Sequence, residues 1–143
     1  MISFDTNIIV YALNSSMDEH ARAYAFLAEL AEDDRVVVAE QTLVEVYLLI
    51  RNPAVFPKPY SAKDAVEVCQ AYRANPKWKL IECERVMEDV WGRAAKPGFP
   101  RRRVIDARLA FTLIRSGVEQ FATHNIRDFE DFGFRRVWDP TMP

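Results

Sequence analysis

The first seven residues constrain this chain more than any other stretch. Met1-Ile2-Ser3-Phe4 is a short apolar run of strand length, and it passes directly into Asp5 and a helical pattern with Ile8, Ile9, Ala12 and Leu13 on one face. Thr6 or Asn7 is expected to cap that helix, since either side chain accepts from the unpaired N–H groups of a first turn. Asp5 then stands at the carboxyl end of the first strand, the edge where open α/β sheets bind ligands. A site there needs more than one acid, so the remaining residues are read for groups that reach Asp5.

Asn14-Ser15-Ser16 breaks the first helix, and a second helical stretch from Asp18 carries Ala21, Tyr24, Ala25, Leu27 and Ala28 before Asp33-Asp34 ends it. The β-branched run Val36-Val37-Val38 is the second strand. Parallel strands are joined by helical crossovers, and these two helices supply one. From Gln41 to Ile50 the pattern is helical, and Leu43 to Ile50 is apolar except for Glu45. A buried, unpaired charge there is costly, so Glu45 faces solvent, pairs with a cation such as Arg51, or is held in a site. The stretch Arg51-Asn52-Pro53-Ala54-Val55-Phe56-Pro57-Lys58-Pro59 cannot continue the helix and reads as an ordered extended loop, with core-like segments on both sides.

Ser61, with Asp64 three positions on, caps a helix bearing Ala65, Val66, Val68, Cys69 and Tyr72. Trp78 to Ile81 is a third strand, and a helix from Glu84 to Ala95 has Val86, Met87, Val90 and Trp91 as its apolar stripe. The last long helix opens at Arg101-Arg102-Arg103 and runs to Gly117. Its apolar face is Ile105, Leu109, Ala110, Leu113 and Ile114, with Asp106 on or beside it and Arg108, Thr112 and Arg115 on a solvated stripe. Phe121 to Thr123 and Phe134 to Trp138 are the fourth and fifth strands, separated by His124-Asn125-Ile126-Arg127-Asp128-Phe129.

With 143 residues, half of them hydrophobic, the chain can bury one substantial core, and a single domain over residues 1–143 is expected. The net charge of −2 brings neither a basic tail nor an acidic block. Every apolar run falls short of the ~18 residues a membrane helix requires, and no basic segment precedes an apolar one at the start, so the expected location is cytoplasmic. Cys69 and Cys83 have no Cys or His neighbour at ligand spacing and are expected to be reduced packing residues.

Four places carry chemistry: Asp5, Glu45, Asp106, and Asn125 with Asp128. If the first and fourth strands are parallel neighbours, their carboxyl ends bring Asp5 to the Asn125–Asp128 turn. Carboxylates within ~4 Å repel by roughly 1–4 kcal/mol per pair, which requires an offsetting cation or a raised pKa. An all-oxygen donor set suits Mg²⁺ or Mn²⁺, completed by water and a substrate phosphate. Such a site hydrolyses phosphoryl esters. Taken singly, Asp5 and Asp106 also suit the positive end of a helix, a placement worth ~0.3–1 kcal/mol, so each acid alone has a purely structural explanation.

Together, Phe4-Asp5-Thr6-Asn7, the isolated Glu45, Val104-Ile105-Asp106-Ala107-Arg108-Leu109-Ala110 and Thr123-His124-Asn125-Ile126-Arg127-Asp128-Phe129 resemble the four successive motifs of PIN-domain nucleases. Within that family the chain is similar to the VapC ribonuclease toxins of bacterial toxin–antitoxin systems. The Pro-rich loop and the terminal Trp138-Asp139-Pro140 resemble one large actinobacterial-type subgroup.

The resemblance implies an α/β PIN-domain fold with a central parallel sheet of about four or five strands flanked by helices. It also implies an Mg²⁺- or Mn²⁺-dependent endoribonuclease acting on RNA, a VapB-like antitoxin partner that blocks the site, and a homodimer. Carried over residue by residue, Asp5 and Asp106 match the metal-binding acids, and Glu45 matches the acid that positions or activates water. The fourth acidic position of the family falls on Asn125, with Asp128 three residues later, and either is open to complete the site. Asn7, Arg103 and Arg108 are the expected substrate contacts, although the Arg101–Arg103 run equally suits a solvated face. His124 reads as a turn residue and His20 as an exposed helix residue. A PIN-like domain that binds RNA or a protein without cutting is the alternative, supported by Asn125. A phosphatase with Asp5 as nucleophile ranks last, because position 7 is Asn where such enzymes carry a second Asp.

Overall fold

A computed structural model describes residues 1–143. Five short strands, β1 (Ile2–Phe4), β2 (Val37–Ala39), β3 (Lys79–Ile81), β4 (Gln120–Ala122) and β5 (Arg136–Trp138), alternate with helices. The helices are α1 (Thr6–Leu13), α2 (His20–Leu30), α3 (Glu40–Ile50), α4 (Ala62–Arg73), α5 (Met87–Ala94) and α6 (Arg103–Arg115), and a 3₁₀ turn covers Ile126–Asp128. All the pairings are parallel. One ladder is β1-β4-β5 and the other β2-β3, joined by a single parallel bridge between Ile2 and Val36. Across that bridge the strand order reads β3-β2-β1-β4-β5, so β1 lies at the centre.

Alternation along the strands sorts the core into two layers. Phe4, Val36, Val38 and Ala122 pack on one side with Ile8 and Ile9 of α1, Leu27 of α2, and Leu43, Val46 and Ile50 of α3. Val37, Ala39 and Phe121 face the other side, against Val90 of α5 and Leu109, Ala110 and Leu113 of α6. Phe121 stacks on Phe134 at 5.1 Å and meets Phe129 at 4.6 Å, which closes the second layer. The Pro-rich segment is ordered as expected: Phe56 is buried, and Tyr60 N–H returns to Ile50 C=O at 2.9 Å. Both cysteines are free.

Several expectations shift. The cap of α1 is Asp5, whose side chain accepts from Thr6 N–H, rather than Thr6 or Asn7. Asp5 wins because its carboxylate sits next to the first free N–H, while Thr6 turns its hydroxyl toward α3. Along α6, Thr112 is buried instead of solvated, and Ile105 is 52% exposed instead of core. The buried stripe of that helix is Ala107, Leu109, Ala110 and Leu113, rotated away from Ile105 by the docking of α6 on β2 and β4. Trp91, expected in the stripe of α5, is 58% exposed, and Val86 and Val90, with Met87 packed beside them, carry that contact.

Candidate active site

The chain reverses direction at the carboxyl edge of the sheet, and this is what gathers the acids. α1 and α3 start at that edge as β1 and β2 end, and α6 runs back toward the start of β4, so its first turn lies there too. The edge thus receives Asp5 from the end of β1, Glu45 from the second turn of α3, Asp106 from the first turn of α6, and the turn after β4 with Asn125 and Asp128. The expected adjacency of the first and fourth strands holds, with Phe4 paired to Ala122 and Asp5 N–H bonded to Ala122 C=O at 2.8 Å.

Asp5 is 8% exposed. Oδ1 accepts from Thr6 N–H at 2.8 Å, and Oδ2 accepts from Thr123 Oγ1 at 2.7 Å and from Asn7 Nδ2 at 3.4 Å. Burial pushes its pKa from 3.8 to about 6 against the two stronger bonds, and the charges of Glu45 and Asp128 push the same way. Burial also raises Asp106 from 3.8 to about 7, helped by the charges of Asp5, Asp128 and Glu45 and opposed by Arg103. Each acid destabilises its neighbours' charged forms, as a cluster awaiting a cation does.

Glu45 is held at both oxygens. Thr6 Oγ1 donates to Oε2 at 2.9 Å and Gln41 Nε2 to Oε1 at 3.2 Å. Arg51, the cation considered for Glu45, donates to Tyr47 Oη at 2.8 Å instead. Of the two residues open for the fourth position, Asp128 raises the pKa of both Asp5 and Asp106 by its charge. The Asn125 side chain makes no hydrogen bond, and its backbone N–H donates to Thr123 Oγ1 at 3.0 Å.

The residues expected to meet substrate are arranged differently from one another. Arg103 is turned inward. Nη2 donates to Asp131 Oδ1 at 2.7 Å and to Asp128 C=O at 2.8 Å, and the guanidinium lies 4.9 Å from the Phe132 ring centre. It clamps the turn after β4 onto α6. Asn7 bridges Asp5 to the same turn, accepting from His124 N–H at 3.3 Å. Arg108 is exposed and bonded through Nε to Gln41 Oε1 at 2.9 Å.

Three participants do not stand out in the sequence. Thr123 holds Asp5, Gln41 holds Glu45, and Asp139 accepts from His124 Nδ1 at 2.9 Å, tying the C-terminal segment to the site's rim. The i, i+4 spacing of Gln41 and Glu45 is the one local signal of such a contact.

No three His, Cys, Asp or Glu side chains converge on one ion-sized point. Mg²⁺ does not need them: it keeps several waters and takes one or two carboxylates plus substrate phosphate. The donor set around Asp5 and Asp106 is all oxygen, anionic and short of positive charge, which fits such an ion.

Fold and site together define an α/β protein with a carboxylate cluster at the carboxyl edge of a parallel sheet. A family model described as PIN domain matches residues 2–135. Ribonuclease VapC24 of Mycobacterium tuberculosis is 52% identical over 140 residues, covering 98% of this chain and 97% of that protein. Ribonuclease VapC48 of the same organism is 24% identical over 140 residues, 96% of each chain. The solved structure of FitAB bound to an IR36 DNA fragment covers 100% of this chain and 97% of its own, with a TM-score of 0.64 at 20% identity, a likeness of fold. The chain belongs to the PIN-domain family, in the branch of the VapC ribonucleases. No helix is long and apolar enough to cross a membrane.

Proposed function

We propose that the protein is a single-domain, divalent-metal-dependent endoribonuclease acting in the cytoplasm as the toxin of a toxin–antitoxin pair, held in check by a VapB-like partner and assembled as a homodimer. One observation carries the chemical part: Asp5, Glu45, Asp106 and Asp128, from four segments, face one sheet edge, where burial first and their mutual charges second raise the pKa values of Asp5 and Asp106. The near full-length likeness to a named VapC ribonuclease supports the substrate class and the partner.

Asp5 and Asp106 would hold Mg²⁺ or Mn²⁺, with Asp128 rather than Asn125 adding its negative charge beside them. Bound there, the ion supplies a water of lowered pKa and neutralises charge on the scissile phosphate. Glu45, fixed at both oxygens, is oriented to take the attacking water's proton. Arg108 presents its terminal nitrogens to an RNA phosphate. Asn7 and Arg103 keep the turn after β4 against Asp5 and α6.

The test is cleavage of a mixed structured RNA by purified, antitoxin-free protein with Mg²⁺ or Mn²⁺, beside Asp5→Ala and Asp106→Ala. Metal-dependent cutting lost in both variants is expected. Undiminished cutting by a variant carrying both Asp5→Ala and Asp106→Ala overturns the assignment. The alternative, a PIN-like domain that binds without cutting, draws on the uncharged Asn125 and predicts weak or absent Mn²⁺ binding by folded wild type in calorimetry.

A further inference from the structure

Gln41 occupies a position that the proposed chemistry leaves unused. It lies one helical turn before Glu45 on α3, and its amide makes three contacts. Nε2 donates to Glu45 Oε1 at 3.2 Å and to Ile105 C=O at 3.3 Å, while Oε1 accepts from Arg108 Nε at 2.9 Å. The orientation of the amide follows from chemistry. Arg has donors only and a carboxylate and a carbonyl accept only, so oxygen must face Arg108 and nitrogen must face Glu45 and Ile105. Ile105 C=O belongs to the peptide that leads into Asp106. One neutral side chain therefore touches a phosphate-binding candidate, the water-orienting acid and the backbone beside a metal-binding candidate.

The neutrality matters. A guanidinium that met Glu45 directly would form an ion pair, and the carboxylate and the cation would each be occupied by the other. Here Arg108 takes part in no ion pair and bonds only through Nε, which leaves Nη1 and Nη2 without partners. Gln41 and Arg108 line a cleft of about 180 Å³ between α3 and α6, shared with Glu82, Cys83 and Thr112. Gln41, which bonds Glu45, forms part of its wall, so a phosphate adjoining the scissile one would reach Arg108 through this cleft.

We infer that Gln41 is a positioning residue coupling phosphate capture by Arg108 to the orientation of Glu45, so that RNA binding and water activation are set by one amide. This inference rests on the ribonuclease reading. The two residues of the Gln41–Arg108 pair then have separable effects, since Arg108 acts on affinity and Gln41 acts on both affinity and turnover. Thr6 still holds Glu45 Oε2 when Gln41 is changed, so the loss in turnover is partial.

The experiment uses the full chain and two readouts, steady-state cleavage of a short RNA and anisotropy of the same fluorescein-labelled RNA without divalent ion. Gln41→Leu, close in shape, is expected to lower kcat roughly tenfold, the size of a lost bond to a charged group, and to weaken RNA binding as Arg108→Ala does. Gln41→Glu turns the neutral bridge into a carboxylate that pairs with Arg108 and offers no donor to Glu45, so kcat falls and metal-free binding weakens as well. In the Gln41→Leu background, adding Arg108→Ala costs little further affinity.

Unchanged kcat and affinity in Gln41→Leu, or fully independent effects of the two positions, overturns the coupling. Wild type that binds RNA but cuts none refutes the ribonuclease reading and with it the role of Gln41 in turnover, while the anisotropy arm still decides whether Gln41 positions Arg108. Melting curves for each variant separate loss of fold from loss of coupling.

Discussion

Thr123 Oγ1 donates a 2.7 Å hydrogen bond to Asp5 Oδ2, and both residues are buried. The same oxygen accepts from Asn125 N–H at 3.0 Å, so one hydroxyl ties the central acid of the site to the turn that carries Asn125 and Asp128. Strand pairing makes this possible: β4 lies beside β1 in register, and Thr123 follows Ala122 as Asp5 follows Phe4.

Replacing Thr123 by Val keeps the shape and removes both bonds. The Asn125 N–H loses its acceptor, and one Asp5 oxygen keeps only the long contact from Asn7. Burying such orphans costs about 1–3 kcal/mol. Losing a bond that lowers the pKa of Asp5 also raises that pKa further. Thr123→Val is expected to show a lower urea midpoint and roughly tenfold slower metal-dependent cleavage at neutral pH, with Thr123→Ser recovering most of both. A Thr123→Val variant as stable and active as wild type would show that the hydroxyl holds neither partner in solution.

The raised carboxyls make the metal-free protein's stability depend on pH in an unusual direction. Asp5 moves from 3.8 to about 6 and Asp106 from 3.8 to about 7, so between pH 4 and 7 the folded state holds protons that the unfolded state has released. Stability from these two groups is full below about pH 4 and is lost as pH rises through 6 and 7. For the buried Asp5 the loss is of order 2–3 kcal/mol. Thermal unfolding in chelator from pH 4.5 to 8 should show Tm falling across this window, and Asp5→Asn with Asp106→Asn should flatten the slope. A Tm that climbs steadily to pH 8 in wild type would contradict the crowding of the acids.

Much of this architecture is legible in the chain. The strand that runs into Asp5, the β-branched Val36–Val38 and the apolar helix interrupted by Glu45 each leave a local pattern, because a buried layer repeats its side chains at the period of its element. Which face of a helix docks is less local. α6 has apolar residues over a wide arc, and only its seating on the sheet decides that Thr112 is buried and Ile105 is not. The cap of α1 is ambiguous in the sequence because Asp, Thr and Asn are all good cap residues and stand in a row. Thr123 is silent for a different reason, since its partner lies 118 positions away and a short polar side chain carries no periodic signal, while Gln41 shows only its spacing to Glu45 and not its link to Arg108, 67 positions away.

The two residues open for the fourth position separate by charge. Asp128 acts on Asp5 and Asp106 through its field, and Asn125 offers a side chain without a bonded partner. Asp128→Asn is expected to lower the affinity for Mn²⁺ by about tenfold, the effect of one close charge at 1–2 kcal/mol in a partly solvated site. Asn125→Ala should change it less than about twofold, since no charge is lost. Isothermal titration with Mn²⁺ reads both. The reverse ranking would give the fourth position to Asn125 and leave Asp128 as a turn residue.

A divalent ion should do more than permit catalysis, because it relieves the repulsion that the fold imposes on its own acids. An ion that binds the folded chain and not the unfolded one stabilises it by RT ln(1 + [L]/Kd), about 3 kcal/mol at a hundredfold excess over Kd. Mg²⁺ or Mn²⁺ is thus expected to raise Tm by several degrees at pH 8, where Asp5 and Asp106 are both ionised. The rise should shrink at pH 5, where protons already occupy both carboxyls. Ca²⁺, which takes oxygen ligands with looser geometry, should stabilise similarly whether or not it supports cleavage. Asp106→Asn should lose most of the rise while melting higher than wild type in chelator, because one buried charge is gone. A wild-type Tm indifferent to all three ions at pH 8 would remove the case for a metal between Asp5 and Asp106.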